Sequence, residues 1–278
     1  MRRTFGLLVA LTLSASMFAG TNIAAAAGTA LPHEAVAGAP NENATGSWIA
    51  WSDGFVTALG TAKSYGDASK LRLNAAITGM ASTPAGNGYW LVSGDGGVFT
   101  YRGVVSYGDA HFFGSMGAAH LNKPVVAMAS TNEGRGYWLV ASDGGIFSFG
   151  DARFHGSLGG SHLNQPVVGM QRTATGNGYW LVAADGGIFS FGDATFYGSL
   201  GASGFTDVVA MGRTPTGHGY WIVRAGGQVS HFGDAQQLGY TGAFAWNPVV
   251  GIVVNPVAQG YTLLFADGDR APFGQPPP

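Results

Sequence analysis

The sequence predicts an all-β protein with the architecture of a β-propeller. Three observations lead to this prediction: a tandem repeat, short apolar runs separated by turn signals, and no sustained helical period within the repeats. The stretch "GYWLVASDGGIFSFGDARFHGSLGG" at 136–160 returns as "GYWLVAADGGIFSFGDATFYGSLGA" at 178–202. A period near 41 residues with four predicted strands per unit is typical of a propeller blade. A β-solenoid, or a propeller with another blade number, is the alternative.

Two independent markers keep the same step along the chain. A "VVAM"-type run precedes each copy of an aromatic marker, which falls at Trp48, Trp90, Trp138, Trp180 and Trp221, with Thr262 in the sixth place. The markers define six units, near residues 34–73, 74–121, 122–163, 164–204, 205–246 and 247–274. We therefore predict one propeller domain over residues 28–278 with six four-stranded blades.

Residues 165–202 show how one unit is built. "PVVGMQRT", "YWLVA", "IFSF" and "TFYGSL" are four apolar runs, and we expect each to form a strand. "ADGG" between the second and third runs contains Asp-Gly, a strong hairpin signal. The last unit ends before a fourth run, and its "QPPP" tail cannot extend a ladder because proline lacks an N–H. We expect residues 28–32 to supply that missing edge.

The first 27 residues are predicted to be a cleaved secretory signal. Met1-Arg2-Arg3 is a basic start, an apolar stretch follows, and "NIAAAAG" offers small residues for cleavage after Ala27. The rival interpretation, a membrane anchor, requires about 20 apolar residues, and this stretch is interrupted by Ser14, Ser16 and Gly20. We therefore predict a secreted protein, in association with the cell wall, with no membrane span after cleavage.

Composition excludes several function classes. The net charge is −2 and no Lys/Arg cluster follows the first residues, which argues against nucleic-acid binding. The absence of cysteine removes disulfides and thiol chemistry. No Walker loop, G-x-S-x-G or H-E-x-x-H motif occurs. The sequence therefore predicts no cofactor, no metal and no catalytic residue.

The motif "GYWLVASDGGIFSFGDARFHGSLG" resembles the tandem repeat of secreted actinobacterial proteins. In those proteins the repeat often accompanies cell-wall hydrolases, esterases or amidases as a non-catalytic region. The resemblance covers about residues 46–270. It implies export and a repeat architecture, while the function of that family is poorly defined. A looser similarity to tectonin-type lectin propellers lies in the Trp-then-Gly rhythm.

Ten repeated aspartates are interpreted as turn formers, because Asp before or after Gly stabilises tight turns through its side chain. Five precede the third strand of their unit and are Asp53, Asp95, Asp143, Asp185 and Asp267. Five follow Gly at the next turn and are Asp67, Asp109, Asp151, Asp193 and Asp234. Catalysis does not require five identical copies of one residue, so these rings of carboxylates do not predict an active site.

Variable positions within a constant repeat are better candidates for ligand binding. The residue before each Gly-Tyr is polar but differs from unit to unit, reading Asn87, Arg135, Asn177, His218 and Gln259. We predict that these loop residues surround one mouth of the ring and bind a ligand. The Tyr-Trp pairs could instead stack on a sugar, although packing between blades is the interpretation we favour.

The predicted function is that of a secreted, non-enzymatic repeat protein whose partner is a cell-envelope glycan or an extracellular protein. One alternative is a propeller glycoside hydrolase or lyase that acts on envelope polysaccharide with aspartates at the mouth. Another is a structural surface component.

Overall fold

The computed structural model describes residues 31–42, 45–101, 110–242 and 246–274. These residues form 18 strands in six antiparallel sheets, and each sheet contains three strands in sequence order. The predicted signal peptide (1–27) and residues 28–30 lie outside the described residues. The all-β prediction is confirmed.

Each sheet has an inner, a middle and an outer strand. The inner strands are β1 (Ala35–Pro40), β4 (Ile77–Ser82), β7 (Val125–Ser130), β10 (Val167–Arg172), β13 (Val208–Arg213) and β16 (Val249–Val254). The middle strands are β2 (Gly46–Trp51), β5 (Tyr89–Ser93), β8 (Gly136–Ala141), β11 (Gly178–Ala183), β14 (Gly219–Arg224) and β17 (Tyr261–Phe265). The outer strands are β3 (Val56–Gly60), β6 (Val98–Tyr101), β9 (Ile146–Gly150), β12 (Ile188–Gly192), β15 (Val229–Gly233) and β18 (Arg270–Phe273).

The inner strands follow one another around a closed ring. Each sheet receives one backbone hydrogen bond from the start of the next inner strand: the Val167 N–H, for example, donates to the Ser142 carbonyl at 2.8 Å. The same bond joins the last sheet to the first, where the Ala35 N–H donates to the Ala266 carbonyl at 2.9 Å. Strands β1 and β16 are therefore neighbours, whereas an open stack would leave them apart.

The prediction of a fourth strand in each unit is wrong for the described residues. The run "TFYGSL" (195–200) forms a connector without strand structure. Gly198 in this connector has φ +138°, and a Cβ there would lie 2.4 Å from the Phe232 ring. The connector's backbone groups bond to side chains instead of a neighbouring ladder, as described next. Residues 31–34 also form no strand, so the described part of the N-terminal segment does not supply the edge we expected.

Side chains from two sheets and one connector form the interface between consecutive units. The Trp180 Nε1–H donates to the connector carbonyl of Thr195 at 2.8 Å, and the Tyr220 hydroxyl of the next unit donates to Gly198 at 2.6 Å. The two rings lie 5.9 Å apart between their centroids, and both side chains are buried. Equivalent pairs are Trp48–Tyr89, Trp90–Tyr137, Trp138–Tyr179 and Trp221–Tyr261. The Tyr and Trp rings therefore pack between sheets and are not available to stack on a sugar.

Candidate ligand-binding site

A cavity of about 250 Å³ lies on the axis of the ring and is the candidate functional site. Its lining comes from all six units, mainly from the last residues of the inner strands and the loops that follow them. Because every inner strand runs in the same sense around the axis, equivalent residues of different units meet at this one end. Methionines of successive units, Met80, Met128 and Met170, together with Ile252 give the cavity apolar walls.

The residue that ends each inner strand is not constant among the units, although the residues around it repeat. The six residues at this position are Pro40, Ser82, Ser130, Arg172, Arg213 and Val254, and all six line the cavity. Arginines occupy adjacent units four and five, serines occupy units two and three, and apolar side chains occupy units six and one. The cavity therefore has a basic side, a hydroxyl side and an apolar side.

The local fold explains why these side chains reach the axis. Arg172 and Arg213 are each paired in register with the buried tyrosine that is the second residue of the middle strand, Tyr179 and Tyr220 respectively. The hairpin then turns at once: the Thr173 N–H donates to the Gly178 carbonyl at 2.9 Å. The final inner-strand residue is thus held at the edge of the loop by backbone pairing that does not depend on its side chain.

The two arginines are partly buried, and their side-chain hydrogen-bond acceptors among the described residues are all neutral. Arg172 Nη1 donates to the Asn132 side-chain oxygen and to the Thr173 carbonyl, the latter at 3.3 Å. Arg213 Nη1 donates to the carbonyls of Thr214 at 3.0 Å and Pro215 at 3.3 Å. Burial lowers the pKa of both guanidinium groups. The positive charge of Arg213 lowers the pKa of Arg172 further, to about 10.

Acidic groups are sparse around the cavity. Among the described lining residues Glu42 is the one acid, and its side chain is exposed. Within the ranges that the structure describes, no group of three or more His, Cys, Asp and Glu side chains is arranged to hold a metal ion. The electrostatics of the described lining are therefore set by two cations against one exposed carboxylate.

The five predicted ligand-binding residues lie beside this mouth but do not line the cavity. Asn87, Arg135, Asn177 and His218 are exposed, and Gln259 is half-buried. Each of them immediately precedes the Gly-Tyr pair at the start of a middle strand, although Gly88 and Gly260 lie just before their strands. Three of their carbonyls accept backbone hydrogen bonds from the next turn, as Arg135 does from Asp151 at 3.1 Å. Ligand binding by these five residues stays a prediction.

The residues that line the cavity were missed although the sequence contained a signal for them. The criterion of variability within a constant repeat selects the end of the inner strand as well as the residue before Gly-Tyr. The first position reads as part of an apolar run in the sequence, and only ring closure brings its six copies together.

The five aspartates that precede the third strand of their unit each accept a backbone hydrogen bond from the residue two positions later. The pairs are Asp53–Phe55, Asp95–Gly97, Asp143–Gly145, Asp185–Gly187 and Asp267–Asp269, with distances from 2.8 to 3.1 Å. In the next turn, Asp151 accepts from the Thr131 hydroxyl at 2.8 Å and Asp234 accepts from Thr214 at 2.9 Å. Asp193 accepts from Thr175, and Asp67 accepts from the Ser69 N–H. Asp109 lies outside the described residues.

Comparison with known proteins identifies the fold. No protein-family model matches the chain, and no curated protein sequence matches it. Among solved structures, the β-propeller domain of Cps50 (Swd1) from Myceliophteria thermophila is similar, with a TM-score of 0.56 and 9% sequence identity. The match covers 87% of this chain and 95% of that one. The protein is thus an all-β repeat protein with a β-propeller fold. At this identity the similarity concerns the fold alone.

No helix among the described residues has the length and hydropathy needed to span a membrane.

Proposed function

We propose that this protein is a non-catalytic binding protein that holds its ligand at the axial cavity. The observation that carries the proposal is the variable residue at the end of each inner strand. Its six copies comprise four residue types of different charge, polarity and size within an otherwise repetitive framework, and all six line one cavity. A propeller scaffold does not require that variation, whereas the recognition of an asymmetric ligand does.

Within this proposal the partner is a cell-envelope glycan or an extracellular protein, and the chain is exported. The N-terminal sequence and the repeat motif support export. The hydroxyl, basic and apolar sides of the cavity suit a polar ligand with one apolar face. The modest cavity volume of about 250 Å³ suits the terminal group of a larger molecule.

The lining of the cavity does not favour the hydrolase alternative. Glycoside hydrolysis with two carboxylates needs both acids on either side of the scissile bond. Glu42 is the one acid among the described lining residues, and the turn aspartates with known partners are engaged in backbone or threonine hydrogen bonds. Binding without turnover is therefore the function that this cavity supports best.

A pull-down with purified envelope polymers and a glycan array test this proposal. We expect the protein to bind, and Ser82→Trp, which fills the mouth, to reduce retention at least tenfold. Ser148→Trp is the matched control because Ser148 is exposed on the outer strand β9, away from the cavity. Absence of binding to any envelope polymer or extracellular protein, or equal binding by the Ser82→Trp variant, would contradict the proposal.

A further inference from the structure

We infer that Arg172 and Arg213 form a binding subsite for an oxyanion, a carboxylate or a phosphate monoester, inside the axial cavity. The inference rests on the proposed function and specifies the chemical class of the ligand. It depends on the position of the two side chains, on their lack of an acidic partner among the described residues and on the surfaces opposite them.

The two arginines occupy equivalent positions in adjacent units, so their side chains enter the cavity from neighbouring inner strands. Arg172 ends β10 and Arg213 ends β13, and these strands are neighbours in the ring. The positive charge of Arg213 is close enough to lower the pKa of Arg172. Two guanidinium groups that line one small cavity from neighbouring strands can bind one anionic group from two directions.

Neither charge is neutralised by a carboxylate in the part of the chain that the structure describes. The ion pairs there are His33–Asp53 and Arg224–Asp207, both away from the cavity lining. The only Asp or Glu outside the described residues is Asp109. Within the described residues, the side-chain hydrogen bonds of Arg172 and Arg213 all come from Nη1, so Nη2 and Nε of both side chains have no acceptor there.

Two neighbouring, partly buried cations without a counter-ion destabilise a fold. The fold does not need them, because the equivalent positions in the other units are Pro40, Ser82, Ser130 and Val254. These residues show that the repeat is compatible with small and apolar side chains at this position. The two charges are therefore best explained by a ligand that supplies the missing negative charge.

The chemistry of the cavity limits the chemical class of the ligand. A guanidinium group presents a planar fork of donors that matches a carboxylate or a phosphate. On the hydroxyl side, Ser82 can bond to a polar substituent, whereas the Ser130 hydroxyl donates to the Ser82 carbonyl at 3.1 Å and can only accept a further bond. The methionine walls can contact an apolar face. Glu42 at the exposed rim is negatively charged, unlike the two arginines, and therefore disfavours further negative charge on the part of the ligand near it. The site thus suits one anionic group on a sugar-sized body.

Isothermal titration of the full-length protein with three matched probes tests the inference. Glucuronate carries a carboxylate, glucose 6-phosphate carries a phosphate, and glucose carries neither. We expect at least one acidic probe to bind at least tenfold more tightly than glucose. Arg172→Gln and Arg213→Gln should each weaken that probe at least tenfold. Arg135→Gln, which removes an exposed arginine beside the same mouth but outside the cavity, should change its affinity less than twofold.

A second measurement uses the unmodified protein, so its result does not depend on whether the arginine variants fold. The Nε–H resonances of Arg172 and Arg213 should shift on addition of the acidic probe in the unmodified protein, while that of Arg224 stays in place. The inference is overturned if neither acidic probe is preferred over glucose, if the double variant Arg172→Gln/Arg213→Gln binds with unchanged affinity, or if Arg135→Gln has the larger effect.

The two proposals fail separately. Retention of envelope polymers that is unchanged in the double variant would overturn the oxyanion subsite and leave the binding function standing. Glucuronate or glucose 6-phosphate binding that requires both arginines, in a protein that retains no envelope polymer or extracellular protein, would support the subsite and contradict the proposed partner.

Discussion

Five of the six interfaces in the ring share one construction, and the interface that closes the ring does not. In the five, a tryptophan, a connector and the next unit's tyrosine are joined by hydrogen bonds and ring contacts. At the closure the corresponding positions are Thr262 and Ser47. Both members of the aromatic pair are therefore replaced at the same interface, where the last sheet meets the first.

The buried clusters differ accordingly. At the five Trp–Tyr interfaces the clusters contain from six to ten buried residues. Among the described residues, the cluster at the closure has three, Ala35, Ile49 and Leu264. Burial of apolar surface is the main favourable contribution to folding. We therefore expect the closure to be the least stable of the six interfaces between sheets.

The closure has a supplementary contact at the end of the ring opposite the cavity. His33 stacks on Trp51, with ring centroids 4.2 Å apart and planes 6° apart, and bonds to Asp53 at 2.7 Å. The Trp51 ring in turn lies against Gly268 of the last unit, where a Cβ would come within 2.6 Å of it. A half-exposed stack thus partly compensates for the missing buried pair.

Removal of a complete unit should have the largest effect. Deletion of residues 164–204 removes one Trp–Tyr unit and brings together two sheets whose spacing was set for a larger ring. We expect the remaining units not to close and the protein to expose apolar edges and aggregate. Circular dichroism and light scattering measure this. A soluble, folded and monomeric deletion variant would show that the ring is not one cooperative closed structure.

Truncation of one tryptophan should separate the two kinds of interface. Trp138 is buried, contacts Tyr179 at 5.8 Å between ring centroids, and donates to the Arg153 carbonyl at 2.7 Å. Trp138→Ala should lower the free energy of unfolding by about 3–5 kcal/mol. Thr262→Ala at the equivalent position of the closure should lower it by about 1 kcal/mol or less. Urea denaturation of both variants gives the comparison.

Two results would contradict that comparison. Equal losses for Trp138→Ala and Thr262→Ala would mean that the closure depends on side-chain packing as strongly as the other interfaces. Unchanged stability with lost ligand binding in Trp138→Ala would mean that the aromatic pairs are the binding site.

Alkaline pH should destabilise the Trp–Tyr interfaces and leave the stability of the closure unchanged. Burial raises the pKa of Tyr137, Tyr179 and Tyr220, and it raises the pKa of Tyr261 to about 12. In the unfolded chain a tyrosine releases its proton near pH 10. Between about pH 10 and 12 the native state thus binds more protons than the unfolded state, and stability falls as pH rises.

The raised pKa of Tyr261 alone corresponds to a decrease of about 2–3 kcal/mol in the free energy of unfolding over that range. Urea midpoints at pH 8, 10 and 11 measure the decline. Tyr261→Phe should lower stability at pH 8 but reduce the slope above pH 10. The same slope in this variant and in the unmodified protein would contradict the assignment.

The all-β class and the repeat were predictable from the sequence because Asp-Gly turns and paired apolar runs are local signals. The lack of strand structure in the fourth apolar run could not be predicted in the same way. "TFYGSL" has strand-like residues, but its backbone groups bond to Trp180 and Tyr220 side chains from two different sheets. Local propensity does not report such long-range partners.

The candidate cavity was predictable only in part. The sequence indicated that one mouth of the ring would carry variable residues, and it suggested Arg135 and its equivalents. Which side chains face the axis depends on the exact end of each inner strand, where one residue further along lies in the loop. Arg172 and Arg213 are about forty residues apart in sequence and line the same cavity only because the ring brings consecutive inner strands together.

Hydrogen exchange should show the closure opening before the other interfaces. The Ala35 N–H bonds to Ala266 across the closure, and the Val167 N–H bonds to Ser142 across a Trp–Tyr interface, at 2.9 and 2.8 Å. We expect Ala35 to exchange at least tenfold faster, which corresponds to about 1.4 kcal/mol in local opening. Amide exchange read by NMR at neutral pH resolves both sites. Equal protection would show that the short closing cluster is as stable as the larger ones.

The smallest effects are expected at the turns, and they too should differ between the two regions. The Asp143 carboxylate accepts from the Gly145 N–H at 2.9 Å, and an asparagine carbonyl can accept the same bond, so Asp143→Asn should change stability by no more than about 0.5 kcal/mol. Asp53 accepts the equivalent bond from Phe55 but also pairs with His33, the residue that stacks on Trp51 at the closure. Asp53→Asn should therefore lower stability more than Asp143→Asn, by up to about 1 kcal/mol, since exposed ion pairs contribute little more than this. Thermal unfolding of the two variants under identical conditions measures the difference. The reverse order would mean that His33 and Trp51 do not support the closure.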